Sequence, residues 1–187
     1  MKNNVSIRPY RKADRQQVQN ICIATGGVLA ERAEFKDMLL NAFCNYYIER
    51  ESENCFVAAD EEEAVGYILC AANCDAWVKC FEEAYVNKAE NEGLKEFYKA
   101  TMATPLKYAR EYPAHLHIDI LPEYQRMGIG FLLMDALIGH LRAAGVRGLM
   151  LCVAADNIKG LSFYEKYGFK VLERTSNEIA MGMTLSM

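Results

Sequence analysis

The residues Gln125-Arg126-Met127-Gly128-Ile129-Gly130 have the types and spacing of a phosphate-binding turn. Gly128 and Gly130 lack the Cβ atoms that would hold a ligand away from the main chain. Behind them Leu133, Leu137 and Leu141, with Met134 and Ile138 alongside, recur at helical spacing. A helix that starts there exposes bare N–H groups and the positive end of its dipole, and both attract negative charge. In front, His117-Ile118-Asp119-Ile120-Leu121-Pro122 is β-rich and ends at a proline, as a strand does. That strand carries His115, His117 and Asp119 at alternate positions. On a regular strand they would share one face, although a bulge would break the parity. The elements required are a strand, a glycine turn and a helix, and together they read as a pyrophosphate cradle.

Other phosphate motifs fit less well. A dinucleotide fingerprint needs a third glycine after Gly130, where Phe131, Leu132 and Leu133 stand instead, and no Gly-Lys-Ser/Thr of a P-loop occurs. A turn that merely tolerates glycine is the plain alternative. A second block lowers its odds. Residues 148–154 form another apolar strand candidate, followed by Asn157 and then Phe163-Tyr164-Glu165-Lys166-Tyr167-Gly168-Phe169.

The order strand, glycine turn, helix, strand, Asn, helix with Phe-Tyr and Gly-Phe resembles the GCN5-related N-acetyltransferase family. Ile120-Leu121-Pro122-Glu123-Tyr124-Gln125-Arg126-Met127-Gly128-Ile129-Gly130 satisfies each position of the family's aliphatic-x-Pro-x-x-Gln/Arg-x-x-Gly-x-Gly/Ala pattern. Asn157 stands seven residues before Tyr164, close to two helical turns, which would place both on one helix face. The match is specific from about His115 to Arg174. Asp119-Ile120-Leu121-Pro122 and Phe163-Tyr164 also look similar to the acetyltransferase-like domain of some O-GlcNAc hydrolases and its free-standing bacterial relatives.

The resemblance implies an acyl-CoA-dependent N-acetyltransferase with acetyl-CoA as co-substrate. Arg126, Met127, Gly128, Ile129, Gly130 and Phe131 would then hold the pyrophosphate. The main chain of Ile118, Asp119 and Ile120 would meet the acetyl-pantetheine end, on a strand that in the family is bulged and splayed. Tyr164 matches the family's general acid, and a phenol stays protonated near neutral pH; its plain reading is a core aromatic beside Phe163. Asn157 would orient the cofactor by hydrogen bonding, or simply cap a helix. The glutamate many relatives use as base falls on Cys152, and the other family positions for a base fall on Ala114 and Leu116. Asp119 is the first choice of base, because an acid between two isoleucines is costly without a role. His117 is the second, for its ordinary pKa. An Asp119–His117 structural pair, or water relaying the proton, remains open. The acceptor is a small-molecule amine, an amino sugar or a protein amine, and a silent acetyl-CoA-binding or interaction module is the alternative.

At 187 residues the chain reads as one domain, 1–187, able to bury a core without staples. Its 52% hydrophobic content argues against disorder. A net charge of −4 argues against nucleic acid or an anionic membrane as main partner, and homodimerisation is compatible with it. The run Asp60-Glu61-Glu62-Glu63 reads chiefly as a solvated hairpin turn. Seven cysteines without paired zinc spacing read as free thiols in a reducing cytoplasm, with no metal. Neither a signal core nor a membrane span is evident.

Residues 5–9 read as a first strand, followed by a helix through Val18, Ile21 and Cys22 that Gly26-Gly27 would end. A second helix is expected over about 33–48. Strands over 55–59 and 64–69 would flank the acidic turn. Residues 74–113 read as an insert of one or two helices, rich in aromatics that would pack it onto the body and shape an acceptor pocket. The expected fold is mixed α/β: a twisted sheet of six or seven strands flanked by helices, with the insert ahead of the fourth strand.

Overall fold

The computed structural model describes residues 5–185. It is a mixed α/β fold whose seven-stranded sheet has the order β1-β2-β3-β4-β5-β7-β6. The chain falls into two compact units. One comprises the residues up to Cys70 with His117–Leu141, and the other Ala71–Leu116 with the residues from Arg142 on.

In the first unit β1 (Val5–Pro9), β2 (Phe56–Asp60) and β3 (Glu63–Ala71, its last residue in the second unit) form an antiparallel meander. A bulge lies at Ala58/Ala59, and the tight acidic turn puts Glu61 at φ 54°. Helix α1 (Arg15–Thr25) buries Val18, Ile21 and Cys22 and ends at Gly26, with Gly27 left-handed at φ 63°. The short α2 (Gly27–Ala30) follows.

The helix expected over about 33–48 is built in three pieces: α3 (Lys36–Leu40), a π-helical segment (Asn41–Asn45) and α4 (Tyr46–Arg50). A π segment widens the turn locally, and such segments recur at functional sites. Here Phe43 and Tyr47, four residues apart, both set their rings against His117. The glycine turn leads into α7 (Ile129–Ala143), whose last two residues belong to the second unit. It buries Leu133, Met134, Leu137, Ile138 and Leu141, the stripe expected from its spacing.

The second unit holds α5 (Cys74–Ala84) and α6 (Glu92–Tyr108), so the segment expected to be helical is helical. The side chains of Asn73 and Asn91 accept from the N–H groups of Ala76 and Leu94 and cap the two helices. Trp77, Phe81, Tyr85 and Tyr98 pack ring against ring with centroids 5.0–6.0 Å apart. Strand β5 (Gly148–Ala154) pairs antiparallel with β7 (Glu178–Thr184), which pairs with β6 (Lys170–Arg174). Helix α8 (Ile158–Tyr167) ends at Gly168, left-handed at φ 117°. Strand β4 (Ala114–Ile120) runs through both units. Its first residues pair in parallel with β5, Ala114 opposite Leu149 and His115 opposite Met150.

Candidate active site

The strand end at 117–121 is held from β3. Leu121 N–H donates to Val65 O at 3.0 Å, and a Cβ on Gly66 would lie 3.0 Å from Ile120 Cγ1 and 3.1 Å from Asp119 O. A side chain at 66 would therefore push the two strands apart at the carboxylate-bearing residue. Beyond Ile120 the chain turns through Pro122–Tyr124, and Gln125 Nε2 reaches back to Ile120 O at 3.0 Å. Arg126 is left-handed at φ 63° and Gly128 at φ 81°. That conformation is unremarkable for glycine but costs an arginine on the order of 1 kcal/mol or more.

Donation within α7 starts at Phe131, whose N–H bonds Gly128 O at 3.1 Å, and continues with Leu132 to the same oxygen at 3.3 Å. The N–H groups before Phe131 belong to the positions a helix cannot satisfy internally. Apart from Gly128 and its two chain neighbours, no atom of the described residues lies within 4 Å of the place a Cβ on Gly128 would occupy, so the backbone there faces open space. Met127, Phe131 and Leu132 are exposed around it. The main chain of Arg126–Gly130 thus fits an anion such as a pyrophosphate, while Phe131 contributes an apolar surface with its N–H already bonded.

Asp119 and His117 are half-buried and differently held. Tyr67 on β3 donates from its hydroxyl to Asp119 Oδ2 at 2.6 Å. Thr25, the last residue of α1, donates its hydroxyl to the backbone, Oγ1 lying 2.8 Å from Ile21 O. Desolvation outweighs the tyrosine's hydrogen bond and pushes the Asp119 carboxyl up to about 6. His117 Nε2 lies 3.0 Å from the hydroxyl of Tyr47, and its ring meets the edges of Tyr47 and Phe43 at 5.1 and 5.3 Å. Desolvation lowers it to about 4, so the imidazole is neutral at neutral pH and a weaker proton acceptor than the Asp119 carboxylate. Each group has its own hydroxyl partner. Ile118 and Ile120 alternate with them, and both are half-buried.

In the second unit His115 is buried against Trp77, ring centroids 4.2 Å apart. Asn157 is the N-cap of α8, its Oδ1 accepting from Gly160 N–H at 2.9 Å. Tyr164 is half-buried, edge-on to Phe163 at 5.2 Å and to Phe169 at 6.0 Å. Cys152, on the solvent-facing side of β5, has its thiol pushed up to about 12 by desolvation and by the Glu178 carboxylate. It therefore offers no thiolate at neutral pH. Glu178 in turn accepts from Thr104 Oγ1 at 2.6 Å.

The role of Tyr67 escaped sequence reasoning. Tyr67 is 52 residues from Asp119 in the chain and sits in an apolar strand where a tyrosine reads as core. The π-helical segment beside His117 also left no mark in the apolar spacing.

A seven-stranded mixed sheet, a left-handed glycine turn opening a helix and a desolvated carboxylate on the strand before it define an acyltransferase type of architecture. The chain belongs to the Acetyltransferase (GNAT) family, whose model matches residues 24–169. Protein O-GlcNAcase of Rattus norvegicus is 24% identical over 180 residues, 87% of this chain and 20% of that protein. The chain thus spans about a fifth of the length of that curated relative. The solved structure "Crystal structure of SsHAT" superposes with a TM-score of 0.85 at 26% identity, over 98% of this chain and 100% of that one. The solved "Structure of yncA, a putative ACETYLTRANSFERASE from Salmonella typhimurium with its cofactor Acetyl-CoA" superposes at 0.63 with 16% identity over 99% and 96%, a likeness of fold.

Proposed function

We propose that this chain is an N-acetyltransferase that moves an acetyl group from acetyl-CoA to a primary amine. The observation that carries the reading is Asp119, a desolvated carboxyl pushed up to about 6 on the strand that enters the glycine turn. A base poised near the working pH combines the right protonation state with useful driving force. Family membership and the acetyl-CoA bound by yncA support the co-substrate. The backbone of Arg126–Gly130 would hold its pyrophosphate and the main chain of Ile118–Ile120 its acetyl-pantetheine end.

Acetyl-CoA supplies an activated acyl group. Asp119 accepts the proton that the amine nitrogen loses as its lone pair attacks. Backbone N–H groups near the end of β4 stabilise the oxyanion that develops. Tyr164 gives its proton to the departing thiolate, and Asn157 orients the ligand through the side-chain N–H group its cap leaves over. His117, neutral and bonded to Tyr47, is the second candidate base. Residues 74–113 shape the acceptor pocket, and the acceptor is a small amine, an amino sugar or a protein amine.

Calorimetry with acetyl-CoA, followed by thiol release with spermidine, glucosamine and a lysine peptide, tests this reading. Saturable binding with turnover on one amine is expected. Absence of binding at millimolar acetyl-CoA would sink it. A silent acetyl-CoA-binding module is the second reading, favoured by the packing of Tyr164 against Phe163 and Phe169. It predicts tight binding without turnover.

A further inference from the structure

Asp119 receives a hydroxyl group from the neighbouring strand. The Tyr67 side chain is buried, with its O–H directed at Asp119 Oδ2 at 2.6 Å. Burial raises this phenol well above its ordinary value, so it keeps its proton and acts as donor. A donor to a carboxylate favours the charged form. The Thr25 hydroxyl is engaged within α1, its Oγ1 donating to Ile21 O at 2.8 Å, one turn back. The hydroxyl held against the carboxylate is that of Tyr67.

From this geometry we infer that Tyr67 is the positioning residue of Asp119, holding it as a carboxylate on the strand that enters the glycine turn. The inference rests on the proposed role of Asp119 as base. In the step it serves, the N–H bond of the acceptor breaks and its electron pair stays on nitrogen. The proton then forms an O–H bond on the Asp119 carboxyl. The polar groups beside the carboxyl are Tyr67 from β3 and Thr25 from α1, the latter bonded to Ile21 O. Cys22 of α1 and Cys44 of the π-helical segment act on Tyr67. His117, two residues away on β4, is engaged with Tyr47.

The test is direct titration of the Asp119 carboxyl by ¹³C NMR of the full chain, in the wild type, Tyr67→Phe and Thr25→Val, with thermal melts confirming that each variant folds. Tyr67→Phe is expected to move the midpoint up by about one pH unit, the loss of one charge-assisted donor. Thr25→Val, which removes a hydroxyl bonded to Ile21 O, is the control and is expected to move it by less than about a third of that. An unmoved midpoint in Tyr67→Phe, or a Thr25→Val shift as large as the tyrosine's, overturns the inference. The acidic limb of kcat/KM, measured with the fastest amine of the panel above, separates this from the base assignment. A midpoint that moves while the limb stays still removes Asp119 from the base role but leaves its positioning by Tyr67 standing.

Discussion

Tyr124 donates from its hydroxyl to Asp60 Oδ2 at 2.8 Å, joining the residues just ahead of the glycine turn to the acidic end of β2. With Leu121 N–H on Val65 O, this gives the turn two anchors on the β2–β3 hairpin. Tyr124→Phe removes one anchor and no contact proposed for the cofactor. We expect acetyl-CoA affinity to fall by a small factor, about 3-fold, the scale of one solvent-accessible hydrogen bond. Asp60→Asn, which keeps an acceptor oxygen, should recover most of it. Calorimetry on the two variants checks this, and equal losses in both would mean the carboxylate's charge, not the tether, is what counts.

The two left-handed residues of the turn should respond in opposite ways. Gly128→Val places a β-branched side chain at φ 81°, a strain of about 1–3 kcal/mol, and fills open space where the ligand would lie. Melting temperature should drop by a few degrees and acetyl-CoA binding should disappear. Arg126→Gly relieves its strain at φ 63° and should leave the melting temperature level or slightly higher. Wild-type affinity in a folded Gly128→Val variant would make the turn structural only.

Asp119 and His117 should oppose each other in the pH dependence of stability. The Asp119 carboxyl rises from 3.8 to about 6 on folding, so between those values the folded state binds the extra proton. Its contribution is fully present below pH 4 and is lost as pH rises through about 6. His117 falls from 6.5 to about 4, so over nearly the same window the unfolded state binds the extra proton. Its contribution is present above 6.5 and is lost as pH falls through about 4. The two slopes, each up to about 1.4 kcal/mol per pH unit, nearly cancel. Asp119→Asn should therefore lose stability steeply on acidification from pH 6.5 to 4.5. His117→Gln should gain it. Urea midpoints at the two pH values provide the comparison, and parallel profiles in both variants would refute the opposed shifts.

Tyr164→Phe separates the proposed acid from a packing aromatic. Loss of a general acid should lower kcat by about 10²–10⁴-fold with acetyl-CoA affinity unchanged. The ring contacts to Phe163 and Phe169 survive the substitution, so the melting temperature should hold. Wild-type turnover in this variant would assign Tyr164 to the core.

The sequence by itself determined the features whose causes are local. Two glycines, a proline-ended strand and the Leu133–Leu137–Leu141 spacing specify strand, turn and helix within about 25 residues, because helical and strand periods show directly in the order of side chains. Asn157 as a helix cap was legible for the same reason, its partner Gly160 being three residues away. The state of the titratable groups is set by tertiary packing. Tyr67 reaches Asp119, and Tyr47 reaches His117, from elements far off in the chain. Those contacts and the desolvation around them bring the carboxyl to about 6 and the imidazole to about 4. A pKa is set by the dielectric and the hydrogen-bond partners that folding assembles. The residue order names the carboxylate and the imidazole, and long-range packing makes one the stronger proton acceptor.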